Sequence, residues 1–213
     1  MNSRNILTNS ALALYLIFIL IYFFRSQLGI EGRLWMDITK TLPVLYLGAI
    51  SLFVTTNRAV SAALILSAMG DLAGEEKLFL AQISLFALAH ICYIVAFVRY
   101  IAPNHNRKII TVLWYLFIAL FGLFMVSHIG SATLKVACSL YILLIGTMAA
   151  VTLNIESKHR VWYIVAALLF VFSDSCIAWN KFIARFDYAG LAIMTTYFAA
   201  QFIFANLALR ERK

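Results

Sequence analysis

The chain has 213 residues, of which 64% are hydrophobic and 12% charged, and it carries a net charge of +8. Soluble domains hold about 25% charged residues, so this composition excludes a water-exposed globule, and two prolines with nine glycines exclude a disordered or low-complexity chain. The basic residues sit in short connections between apolar runs, as membrane proteins place them, so the charge does not imply a nucleic-acid partner.

A bilayer core about 30 Å thick needs roughly 20 residues of helix. Backbone groups in lipid must bond internally, so each long apolar run predicts a helix. Eight runs qualify, at residues 9–24, 38–55, 59–73, 78–100, 110–128, 134–153, 161–181 and 188–209. The first follows a single early basic residue, Arg4, and no small-residue cleavage site follows Phe24 before Arg25. It therefore reads as a retained span rather than a removed signal peptide. The third run is the least well marked, because polar residues follow it closely. Cys92, Cys138 and Cys176 lie within runs, lack metal-ligand spacing and read as small buried hydrophobes. With no internal repeat and no linker, the expectation is a single transmembrane domain over residues 1–213, an all-α polytopic bundle of eight spans.

Eight spans put both termini on one side. That side holds ten Lys and Arg, against seven on the other: Arg25, Arg33, Lys40, Lys77, Lys135, Lys181 and Arg185. The bias favours cytoplasmic termini, in the inner or plasma membrane if the source is bacterial.

Nine acidic residues are present, and seven of them (Glu31, Asp37, Glu75, Glu76, Glu156, Asp187 and Glu211) fall at connections or at the C-terminus. Asp71 ends the third run and Asp174 lies within the seventh. A carboxylate in a membrane helix costs on the order of 3 kcal/mol, so it normally faces an internal cavity or a partner. Asp71 and Asp174 are therefore the candidate catalytic groups; the alternative is that each pairs with a base or hydroxyl to hold helices together.

In the fourth run Phe79, Gln82, Phe86, His90 and Tyr93 recur at helical spacing and form one stripe. Tyr197 and Gln201, four apart, share a face of the eighth. Lys40 opens the second run, either as an interfacial lysine reaching the headgroups or as a phosphate contact or counter-ion to a carboxylate. Threading the chain puts Lys40, Asp71 and Asp174 toward the same leaflet, which suits a water-accessible pocket opening there.

At these residues the chain resembles the YhhN family of membrane proteins, the lysoplasmalogenases of bacteria and animals. Lys40-Thr41-Leu42-Pro43 resembles the family's Lys-x-x-Pro, and Gly70-Asp71 its Gly-Asp. Phe79, Phe86, His90 and Tyr93 resemble its Phe-x6-Phe-x3-His-x2-Tyr, Ser173-Asp174 its Ser-Asp, and Tyr197 with Gln201 its Tyr-x-x-x-Gln. The match runs over nearly the whole chain. Gln82 and Ala166 stand where the pattern has Gly, and Gln82 is the larger change to the pocket's shape.

The resemblance implies hydrolysis of the vinyl ether bond of a lysoplasmalogen, a lysophospholipid drawn from membrane lipids. The products would be a fatty aldehyde and glycerophosphoethanolamine or glycerophosphocholine, with no cofactor and no metal. The residues suit this chemistry. A vinyl ether hydrolyses by protonation of its outer alkene carbon, giving an oxocarbenium ion that water attacks. One protonated carboxyl and one carboxylate supply what is needed, as in glycosidases; either Asp could be the acid. Lys40 would take the phosphate, while His90, Tyr93, Tyr197 and Gln201 would orient water and the glycerol hydroxyl.

Other classes fit less well. A zinc hydrolase needs about three converging ligands, yet of His90, His105, His128 and His159 only His90 lies deep in a run. An intramembrane aspartyl protease would have Gly-x-Gly-Asp where this chain has Ala68-Met69-Gly70-Asp71. A lipid or ion transporter with proton-carrying Asp residues is the alternative from a different class, and aldehyde release discriminates it.

Overall fold

The computed structural model describes residues 3–55, 57–102 and 107–210, with side chains from residue 12 to 209. His105, Arg4's side chain and Glu211, Arg212 and Lys213 lie outside the described residues. Eight helices follow one another: α1 (Ser3–Phe24), α2 (Arg33–Val54), α3 (Arg58–Glu75), α4 (Phe79–Val98), α5 (Arg107–Ser127), α6 (Ala132–Leu153), α7 (Arg160–Phe182) and α8 (Ala189–Arg210). Each expected run is a helix, and the only strand-like pairing among the described residues is one bridge, Ile101 with Ile155.

Six helices, α2 and α4 to α8, are long and apolar enough to cross a membrane. The apolar part of α1 that is described, Leu12–Phe24, is shorter. The charged residues that lower the hydropathy of α3 are Arg58 and Glu75 at its two ends and Asp71, which is buried together with Ser61 and Ser67. Large apolar side chains such as Leu20, Phe53, Leu116, Leu123 and Trp162 stand exposed around the bundle. An apolar surface of that extent is tolerated in lipid and not in water.

Two boundaries differ from the expected ones, and both matter. α2 begins at Arg33, so Asp37 is helical and buried instead of lying in a loop. α3 runs through Glu75, which also leaves the loop assigned to it. Apolar runs miss such turns because a helix continues past its apolar stretch wherever its polar side chains find partners. Cys138 is buried as expected, whereas Cys92 and Cys176 are only half-buried.

The helices close on themselves. α3 packs between α2 and α4, α6 packs on α4, α5 and α7, and α8 packs on α7, α2 and α3. α1 lies against α2, and the buried Tyr15 hydroxyl donates to the Phe198 carbonyl of α8 at 2.8 Å. The centre is aromatic: Tyr93, Phe97, Phe170, Phe198 and Phe204 are almost fully buried. Edge-to-face contacts such as Phe170 on Tyr197, with centroids 5.5 Å apart, fix their relative tilt.

Glycines let α3 approach α4. A Cβ on Gly70 would stand 2.9 Å from the Phe86 ring, and one on Gly74 would stand 2.7 Å from the Gln82 amide nitrogen. Gly70 precedes Asp71, so the same close approach that seats Phe86 brings the carboxylate into the bundle.

Candidate active site

The sequence-predicted polar residues do not form one cluster. Asp71, 3% exposed on α3, accepts a hydrogen bond from the Tyr197 hydroxyl of α8 at 2.6 Å. Asp174, its side chain 10% exposed on α7, accepts at Oδ2 from the Tyr141 hydroxyl of α6. His90, fully buried on α4, stands behind that bond, with Nε2 at 3.0 Å from the Tyr141 oxygen and 3.7 Å from Asp174 Oδ2. Because Tyr141 donates to the carboxylate, its oxygen is left to accept, so His90 presents Nε2–H toward it.

Aromatic rings lie between the two carboxylates. Phe170 contacts His90 at a centroid distance of 4.8 Å on one side and Tyr197 at 5.5 Å on the other. Phe86 packs on both Phe170 and Tyr197. One turn further along α4, the Tyr93 hydroxyl donates to Gln201 Oε1. Three buried polar atoms around this core, His90 Nδ1, Gln201 Nε2 and Ser67 Oγ, have no protein partner. Unsatisfied buried polar groups are uncommon.

Lys40 is placed differently. Its ammonium donates to Glu75 Oε1 at 2.7 Å, with both side chains largely covered. Of its two sharper readings the structure presents the counter-ion, and the carboxylate it neutralises is Glu75. The pair lies near enough to Asp71 to interact with it electrostatically.

An apolar groove of about 760 Å³, counted to its open mouth, runs between α4, α5, α6 and α7. Phe79, Gln82, Phe86, Tyr141, Asp174 and Phe182 are among the residues lining it. Its apolar lining suits a hydrocarbon chain. Asp174 lines the groove and Asp71 does not. Among the described residues no three His, Cys, Asp or Glu side chains converge to hold a metal ion.

The family model of the YhhN family matches residues 35–208. The chain belongs to the YhhN family. Among its relatives, the lysoplasmalogenase TMEM86B of Sus scrofa is 34% identical over 170 residues, covering 77% of this chain and 71% of the relative. The lysoplasmalogenase TMEM86B of Rattus norvegicus is 30% identical over 176 residues, 79% of this chain and 69% of the relative. A lysoplasmalogenase of Mycobacterium bovis is 28% identical over 148 residues, 66% of this chain and 56% of the relative. No solved structure matches the chain.

The YhhN pattern as read in the sequence omits two residues of this arrangement. Tyr141 lies mid-run in α6 without a polar neighbour at helical spacing, and only the fold brings it to Asp174. Glu75 looks like a loop acid until Lys40 is seen to reach it. Gln82, a departure from the pattern, fills the space above Gly74 and lines the groove.

Proposed function

We propose that this chain hydrolyses the vinyl ether bond of lysoplasmalogen, with Asp174 as the acid at the alkene and Asp71 as a second carboxylate acting through its charge. Family membership and the names of the relatives carry the coarser part: a multi-pass membrane enzyme of the lysoplasmalogenase type, acting on a lysophospholipid. The observation that carries the finer part is Asp174 lining an apolar groove while hydrogen-bonded by Tyr141 and backed by His90.

In this reading the alkenyl chain lies in the groove and presents its outer vinyl carbon to Asp174. Asp174 gives its proton to that carbon, and the π electrons form the new C–H bond. The cation left on the adjacent carbon is shared with the ether oxygen, as in an oxocarbenium ion. Asp174, now a carboxylate, takes a proton from the water that attacks this carbon, and so returns to its starting state. The hemiacetal then breaks to aldehyde and glycerophospho-alcohol. The same group acting first as acid and then as base follows glycosidase logic. Tyr141 donates to Oδ2 in both stages and holds the carboxyl in one rotamer.

Asp71 lies outside the groove, beyond the Phe86 and Phe170 rings, so it serves as a positioning residue. Its charge, felt across apolar rings, favours the developing cation, and Tyr197 keeps it fixed. The Lys40–Glu75 pair closes the bundle beside it. His90 backs Tyr141, and the Tyr93–Gln201 and Tyr197–Asp71 bonds brace the bundle behind the groove.

All eight helices span the membrane in this reading, as one domain with both termini cytoplasmic. α3 crosses despite its lower hydropathy because Ser61, Ser67 and Asp71 are buried and its other charges, Arg58 and Glu75, lie at its ends. The test is release of long-chain aldehyde by the purified protein from an alkenyl lysophospholipid, without added metal. Aldehyde at a rate that scales with enzyme supports the hydrolase; intact lipid after exhaustive incubation with several lysoplasmalogens removes it.

A further inference from the structure

The apolar groove has a polar continuation. Phe79, Gln82 and Ile177 line both the groove and a second hollow of about 880 Å³, counted to its open mouth. This hollow lies where α3 and α7 end, and it is lined by Lys77, Lys181, Arg185 and Asn180. None of its three cations forms an ion pair among the described residues.

Two details set these cations apart from ordinary surface charge. The Lys181 ammonium stands 4.2 Å above the Phe79 ring, so its charge is turned over the mouth of the groove. Lys77 takes a left-handed backbone, φ 60°, at the end of α3, where the Leu78 N–H donates to the Ala73 carbonyl at 2.9 Å. Glycine is the usual residue in such a helix-ending turn, and a lysine there is strained.

Resting on the lysoplasmalogenase reading, we propose that this hollow binds the phosphodiester of the substrate headgroup, with Lys77, Lys181 and Arg185 as its cationic contacts. The phosphate site then differs from Lys40, whose charge is already neutralised by Glu75. Spacing agrees with the assignment. Seven bonds separate phosphorus from the outer vinyl carbon of a lysoplasmalogen, roughly 9 Å when extended at ordinary bond lengths. Asp174 and Lys181 lie seven residues apart on α7, about 10 Å along the helix axis. A molecule with its phosphate at Lys181 and its chain in the groove therefore passes its vinyl ether by Asp174. Gln82, which lines both spaces, stands where the glycerol hydroxyl crosses between them.

The experiment measures binding rather than turnover. A saturated 1-O-alkyl lysophospholipid keeps the phosphodiester and lacks the cleavable bond. Its affinity is measured for the full chain in nanodiscs of zwitterionic phosphatidylcholine. Arg185→Gln and Lys77→Gly are each expected to weaken binding about threefold, and the two together roughly tenfold, as partly hydrated charge pairs do. Lys77→Gly also relieves the left-handed turn, so its Tm should rise while its affinity falls, which separates lost charge from lost fold. Lys135→Gln, an exposed cation at the start of α6, should leave affinity unchanged. A 1-O-alkylglycerol, without phosphate, should bind wild type and variants alike.

Equal lysophospholipid affinity in wild type and the double variant overturns the site. An equal loss in Lys135→Gln also overturns it, since that reports only attraction to a charged surface. Inorganic phosphate in large excess should leave the lipid bound; full displacement would assign the hollow to free phosphate and overturn the headgroup assignment. The readout needs no catalysis. A chain that binds as expected yet releases no aldehyde keeps the site and loses the hydrolase reading, whereas aldehyde release with an unchanged KM in the double variant does the reverse.

Discussion

The Tyr141 hydroxyl donates to Asp174 Oδ2 across the α6–α7 contact, and through Tyr141 the carboxylate is joined to His90 at the centre of α4. Three helices thus meet at one oxygen. A hydrogen bond to a charged group is worth about 1.5–3 kcal/mol, enough to hold the Asp174 carboxylate in one orientation.

Tyr141→Phe keeps the ring and removes the donor. The expected result is a kcat reduced roughly tenfold to a hundredfold with KM little changed, because the chain-binding groove is intact. Steady-state aldehyde release checks it. An unchanged kcat would detach Tyr141 from the chemistry.

Much of this arrangement is legible in the sequence, for a physical reason. Helical periodicity records which residues share a face, so the stripe of Phe86, His90 and Tyr93 and the pair Tyr197 and Gln201 are recovered as buried side chains. Periodicity says nothing about which stripe faces which. The partition into an Asp71–Tyr197 pair and an Asp174–Tyr141–His90 chain depends on how α3, α4, α6, α7 and α8 close. Tyr141 and Glu75 were invisible for that reason, since the first lies among apolar residues and the second at a helix end. Hydropathy is the other case: an average over α3 counts the buried Asp71 and the end residues Arg58 and Glu75 alike, whichever way each faces.

The two close-approach glycines on α3 should respond differently to alanine. At Gly70 the new methyl meets the Phe86 ring, which Phe170 and Tyr197 hold in place, so Gly70→Ala should cost about 1–3 kcal/mol. At Gly74 it meets the end of the Gln82 side chain, which can rotate away, so the loss should stay below about 1 kcal/mol. Thermal unfolding in detergent separates them: Gly70→Ala lowers Tm clearly, Gly74→Ala slightly. The reverse order would mean that the aromatic cluster is softer than its packing implies.

Tyr197→Phe leaves Asp71 buried without its donor. That should destabilise by about 1–3 kcal/mol, since an unpaired buried acceptor bears its full desolvation penalty. Asp71→Asn, whose amide oxygen still accepts from Tyr197, should destabilise less. Denaturation midpoints measured on the two variants check this order.

The most direct test of the account is the rate of aldehyde release by Asp174→Asn from an alkenyl lysophospholipid, on protein shown by thermal unfolding to be folded. A positioned general acid contributes about 10²- to 10⁴-fold, and Asn, which cannot protonate carbon, should lose at least about a hundredfold in kcat while still binding the uncleavable alkyl analogue. A folded Asp174→Asn that releases aldehyde near the wild-type rate would contradict the central claim, that the carboxyl lining the groove delivers the proton.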